Sequence, residues 1–98
     1  MNAPLKIVKG SDNIFRDIGF PEGEAQNLLL RTDLMIKIER LVKKSGLIQS
    51  EAATMLGITQ PRLNDILKGR IEKFSLDALV NILASAGMQV KLTVKKAA

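Results

Sequence analysis

The sequence predicts a compact, mainly α domain of four to five helices, with an N-terminal arm and a C-terminal β-strand. Three observations support this. Through most of the chain, apolar residues recur at the i, i+3, i+4, i+7 spacing of amphipathic helices, and Gly residues stop the runs. Aromatics are few, three Phe with no Trp or Tyr, so the core has to be built from Leu, Ile, Val, Ala and Met, which suits helix packed on helix. Strict alternation of apolar and polar residues is strong only once, at the end of the chain. The expected boundaries are 1–20 for the arm, 21–87 for the helical body and 88–98 for the strand. Ninety-eight residues suffice for one domain with one modest core.

In the arm, Leu5, Ile7 and Val8 suit a short extended piece, and Gly10 to Asn13 form a turn cluster. Ile14, Phe15, Ile18 and Phe20 follow. The plain reading is that Phe15 and Ile18 cap the core; the alternative is a partner or DNA contact by the arm, in which Lys6, Lys9 and Arg16 supply charge. Pro21 to Glu24 open a long helix with acids in its first turn, where the helix dipole favours them. Its apolar stripe is Ala25, Leu28, Leu29, Leu34, Met35, Ile38, Leu41 and Val42, and Lys43, Lys44, Ser45 and Gly46 suit its end.

A short helix is expected from Gln49 to Leu56, broken by Gly57. A second begins after Thr59 as N-cap, with Pro61 in the first turn where its missing N–H costs nothing, and runs to Lys68. Ser75 caps a further helix whose buried stripe is Leu76, Leu79, Val80, Ile82, Leu83 and Ala86. Met88 to Lys95 read as a strand. A lone strand leaves its backbone groups unpaired, so it needs either the N-terminal segment or the same strand of a second chain. The second option is favoured and makes this segment the dimerisation element. Met35, Met55 and Met88 read as core fillers.

Composition excludes much chemistry. With no Cys and no His there are no disulfides, thiolate nucleophiles, Cys/His zinc sites or imidazole bases. Asp12, Asp17, Glu22, Glu24 and Glu51 fall at helix starts and turns, where capping explains them, and no Gly-rich phosphate loop or Ser–base pair accompanies them. The expectation is no enzyme, no cofactor and no metal. No apolar run is long enough to span a bilayer and Lys/Arg are scattered, so a cytoplasmic protein without a membrane partner is expected. The net charge of +5 and pI near 9.8 fit a polyanion, an anionic surface or solubility alone.

Gln49 to Lys68 is the informative stretch. Two short helices joined by a Gly turn cross steeply, so their closest approach needs small residues, which Ala52 and Ala53 supply. If Ile58, Leu63, Ile66 and Leu67 pack inward, then Gln60, Pro61, Asn64, Asp65 and Lys68 face out, with Arg62 on the flank.

The spacing of Ala53, Gly57, Ile58, Leu63 and Ile66 resembles the XRE (Cro/phage-repressor-like) helix-turn-helix family. Gly57 to Leu63, followed by Leu67-Lys-Gly-Arg70 and Phe74 to Leu79, is similar more narrowly to HigA-like antitoxins, autoregulators encoded beside a RelE-type ribonuclease toxin. The resemblance covers residues 13–94. It implies a repressor-like helix-turn-helix fold and a nucleoid-associated transcriptional repressor binding double-stranded DNA, at a palindromic operator as a homodimer, with a possible toxin partner. The DNA-binding residues it implies are Gln49, Thr59, Gln60, Pro61, Arg62, Asn64, Lys68 and Arg70.

Gln and Asn bond adenine bidentately and Arg bonds guanine, at about 1–3 kcal/mol of discrimination each. Pro61 departs from the polar residue of many members and offers only an apolar contact to a thymine methyl. Asp65 repels phosphate and is expected to point along the groove or to pair with a neighbouring base or side chain. Gln49 and Thr59 also read as simple helix caps, Arg62 as a phosphate contact, and Lys68 and Arg70 as backbone contacts beyond the helix end. Two other functions remain: a stand-alone regulator without a toxin, and a protein–protein module that has lost DNA binding, which Asp65 and Pro61 favour.

Overall fold

The computed structural model describes residues 13–96. Leu5, Ile7 and Val8, and with them Lys6 and Lys9, lie outside the described residues. The elements are α1 (Ile14–Asp17), α2 (Glu22–Ser45), α3 (Gln49–Leu56), α4 (Gln60–Leu67), a single 3₁₀ turn (Ile71–Lys73) and α5 (Leu76–Ser85). The long α2 is the spine, against which α1, α4, the 3₁₀ turn and α5 all pack.

Within the expected arm, Asn13 starts α1. Its Oδ1 accepts from the backbone N–H of Phe15 (2.9 Å) and of Arg16 (3.3 Å). Its Nδ2 donates 2.9 Å to the Ala25 carbonyl in α2, so this fully buried amide ties the arm to the spine. Phe15 is half-buried and meets Phe20 edge-to-face, ring centroids 6.1 Å apart. Ile18 is 67% exposed and does not cap the core as its spacing suggested.

On α2, Ala25, Leu28, Met35 and Ile38 are buried, with Leu34, Leu41 and Val42 packed beside the core. The helix ends at Gly46, whose φ of 72° is left-handed. The core joins Met35 and Ile38 of α2 to Ala52, Ala53 and Leu56 of α3, Leu63 and Ile66 of α4, Phe74, and Leu79, Ile82 and Leu83 of α5. Ser75 caps α5, its Oγ accepting from the Ala78 N–H at 3.1 Å. Met55 is half-buried, while Met88 is 48% exposed and fills no core.

The expected C-terminal β-strand does not form: the described residues hold helices and turns and no strand. After the Met88 N–H donates to the Leu83 carbonyl (3.0 Å), only Val90 packs against the core, and Leu92 and Val94 are 61% and 86% exposed. Alternation fits a half-buried strand only where a neighbouring strand completes the hydrogen-bond ladder, and among the described residues none stands beside residues 88–96. The pairing of chains through a strand at this place falls with it.

Gly46 and Gly57 have nearly the same φ, 72° and 71°, but a Cβ at Gly46 meets nothing within 4 Å while one at Gly57 meets Ser85 Oγ at 3.2 Å. Gly46→Ala should lose about 1–2 kcal/mol from left-handed strain, and Gly57→Ala should lose more, because the Ser85 hydroxyl is held by its bond to the Asn81 carbonyl. Urea denaturation compares the two, and equal losses would show that Ser85 yields freely.

Glu22, exposed at the start of α2, has its carboxyl lowered from 4.5 to about 2, by hydrogen bonds from Arg16 first and Gln26 second. Its contribution to stability is present above the unfolded value and lapses as pH falls through about 2. A carboxyl NMR titration should place its midpoint near 2, and Arg16→Ala should raise it.

Candidate nucleic-acid interface

Gly57 ends α3 in the left-handed region, and two residues later Thr59 starts α4, its Oγ1 accepting from the Arg62 N–H at 3.3 Å. Pro61 occupies the first turn. Leu63 and Ile66 are buried, and Ile58 and Leu67 half-buried against the core. At about 100° per residue, this packing leaves Gln60, Pro61, Asn64 and Lys68 within one arc on the opposite side, and all four are exposed. Among the described residues the side-chain amides of Gln60 and Asn64 carry no hydrogen bond and Lys68 has no ion pair. These groups reach the surface with their donors and acceptors uncommitted.

The other expected site residues are placed differently. Arg62 is half-buried on the flank, its guanidinium carbon 4.4 Å from the centroid of the buried Phe74 ring. Thr59 spends an acceptor on capping α4. Gln49 is half-buried at the start of α3, which has no side-chain cap bond. Arg70, beyond α4, lies with its Nε 3.6 Å from Asp65 Oδ1, and Lys73 Nζ is 3.8 Å from Asp65 Oδ2. Asp65 thus pairs with side chains, as expected, and its charge is offset by two cations from the segment just after its own helix.

That segment is what sequence reasoning missed. Arg31 of α2 donates from Nη1 to the carbonyls of Ile71 and Phe74, both at 3.3 Å, while its Nε bonds Asn27 Oδ1 at 2.6 Å. The 3₁₀ turn is held against the spine, and Phe74 is driven under α4 and α5. The available signal was Phe74 with Ile71, two large apolar residues in a connection otherwise made of Gly, Ser and charged residues. Among the described residues no group of acids is arranged to hold a metal ion, and no helix is long and apolar enough to cross a membrane.

Two short helices in a glycine-turned pair, the second packed on one side and presenting amides and a cation on the other, define a DNA-binding helix-turn-helix domain. The chain belongs to the helix-turn-helix domain family, which it matches over residues 14–95. The match is to that domain at large, not to the XRE or HigA-like group in particular. Such domains are typically non-enzymatic. None of the curated proteins matches the chain.

Arg62 and Gln60 should separate in the absence of DNA. Arg62→Ala should cost about 0.5–2 kcal/mol of stability through the lost stack and stem packing on Phe74, and Gln60→Ala should stay within about 0.5 kcal/mol. Chemical denaturation measures both; an unchanged midpoint for Arg62→Ala would mean the stack contributes nothing.

Proposed function

We propose that the protein is a sequence-specific transcriptional regulator that inserts α4 into the major groove of duplex DNA. The observation that carries this reading is the uncommitted face of Gln60, Asn64 and Lys68, set on a helix whose other face is locked in the core. Gln60 and Asn64 read base edges, Pro61 touches a thymine methyl, and Lys68, Gln49, Thr59 and Arg70 contact the phosphate backbone. Arg62, stacked on Phe74 at the flank, is restricted in reach and serves as a phosphate contact beside the base-reading face.

One such helix reads only a few base pairs. A homodimer that sets two recognition helices about 34–36 Å apart reads a palindromic operator. The resemblance to HigA-like antitoxins supports a narrower role: an autorepressor of its own promoter, paired with a RelE-type toxin encoded in the adjacent reading frame. The non-DNA module loses support, because Asp65 is neutralised by Arg70 and Lys73 and Pro61 serves the first turn of α4.

The test is binding to the DNA upstream of its own gene against a scrambled duplex at about 150 mM salt, where phosphate contacts alone are weakened. Gln60→Ala and Asn64→Ala should each cost about 1–3 kcal/mol on the upstream duplex and little on the scrambled one. Lys68→Ala should weaken both alike. Three or four phosphates per subunit give a dimer a log–log salt slope of roughly −5 to −7. Equal, weak binding to both duplexes would overturn the autoregulator, and protection of a single half-site at every protein concentration would overturn the dimer.

A further inference from the structure

We propose that the groove between α2 and the segment after α5 docks a short acidic amphipathic helix of another protein. The groove holds about 380 Å³. One wall is the α2 stripe of Leu34, Lys37, Arg40, Leu41 and Lys44, and the other is Leu83 with residues 88–91. Leu34, Leu41 and Val90 are half-buried and Leu83 is buried, so the floor is apolar and only partly covered. Met88, 48% exposed, lies at its edge.

The rim determines the partner. Lys37, Arg40, Lys44 and Lys91 are exposed around this floor, and none has an ion pair among the described residues. By contrast, Arg16, Lys43, Arg70 and Lys73 each have a carboxylate partner. By helical spacing, Asp33 is the one carboxylate of α2 on this stripe, at its N-terminal end. Lys37 to Lys44 spans two turns, roughly 10 Å along the axis, the length of a short docked helix with apolar side chains on the floor and Asp or Glu on both flanks.

These cations are not accounted for by DNA held on α4. Thr32, Met35, Ile36 and Glu39 line a separate pocket with Ile66 and Leu67 of α4. At about 100° per residue, Lys37, Arg40 and Lys44 point on average about a third of a turn around α2 from these four, with Arg40 the nearest to them. A second copy seated two-fold on the groove would bring like-charged rims together, an arrangement that costs affinity. A basic toxin meets the same repulsion, so this inference stands apart from the antitoxin reading.

The probe is a fluorescently labelled synthetic helix with Leu at i, i+3, i+4, i+7 and Glu on its flanks, with a scrambled peptide of equal composition as control. Anisotropy is read without DNA, so failure here is separate from failure of operator binding. The patterned peptide should bind more tightly than its scramble. Lys37→Glu with Lys44→Glu should weaken it roughly tenfold or more, and Met88→Asp should weaken it as well. All three substitutions are at exposed positions, and Lys37→Gln with Lys44→Gln provides a milder pair if charge reversal disturbs folding, which circular dichroism checks. Duplex binding and oligomeric state should be unchanged in every variant. Equal binding of patterned and scrambled peptides would overturn the proposal, as would affinity indifferent to the rim substitutions. Loss of duplex binding would assign the rim to a nucleic-acid footprint, and a change of oligomeric state would assign it to self-association; either would also overturn it.

Discussion

The burial of Leu63 and Ile66 is the constraint on which the rest of the site depends. Three residues apart, they fix the rotation of α4 about its own axis, and the 3.6-residue period then dictates what every other position on that helix can do. Losing either side chain would forfeit about 2–5 kcal/mol of packing, a large fraction of the stability of a domain this size. Rotation is therefore strongly held, and Gln60, Asn64 and Lys68 reach the surface because there is no other place for them. The small Ala52 and Ala53 of α3, buried in the same core, let this packing close, and Gly57 turns the chain between the two helices.

The second support lies after α4. Arg31 holds the 3₁₀ turn through two carbonyls, and the turn delivers Phe74 to the core and Lys73 to Asp65. The ion pairs at Asp65, at 3.6 and 3.8 Å on a partly exposed side chain, add little stability of their own. Their effect is on the field presented next to α4, where an unpaired carboxylate would oppose a phosphate backbone. Arg62 belongs to the same arrangement, its planar guanidinium stacked on the Phe74 ring.

The helices were legible in the sequence because their ends are chemical. Thr59 and Ser75 as N-caps, Pro61 in a first turn and Gly46 and Gly57 as stops are local signals, and the elements begin and end within about one residue of where these signals put them. The outward set on α4 was legible for the same reason, since it depends only on the period and on which residues are apolar. Contacts across long sequence separations were not. Arg31 reaches residues forty and more positions away, and nothing local to Ile71 or Phe74 marks the bond. Residues 88–95 misled because alternation describes the faces of a strand without supplying the neighbour that makes one. Ile18 misled because it falls at the C-cap of a four-residue helix, too short to give its apolar residues a period that orients them.

Charge is where composition and structure diverge most. A net +5 says only that the surface is basic. In the fold, several cations are tied to carboxylates, Arg31 to carbonyls and an amide, and Arg62 to a ring. Apart from Lys95 and Lys96 near the end of the chain, the cations without such a partner among the described residues fall in two places: Lys68 on α4, and the stripe of Lys37, Arg40 and Lys44 with Lys91 facing it. The first lies on the outward arc of α4, and the second on the flank of α2 that faces Leu83 and residues 88–91. An unpaired exposed cation gains nothing from the fold, and four around one apolar floor repel one another. That cost is relieved only when negative charge arrives from outside, so the two surfaces can be titrated independently with different anions.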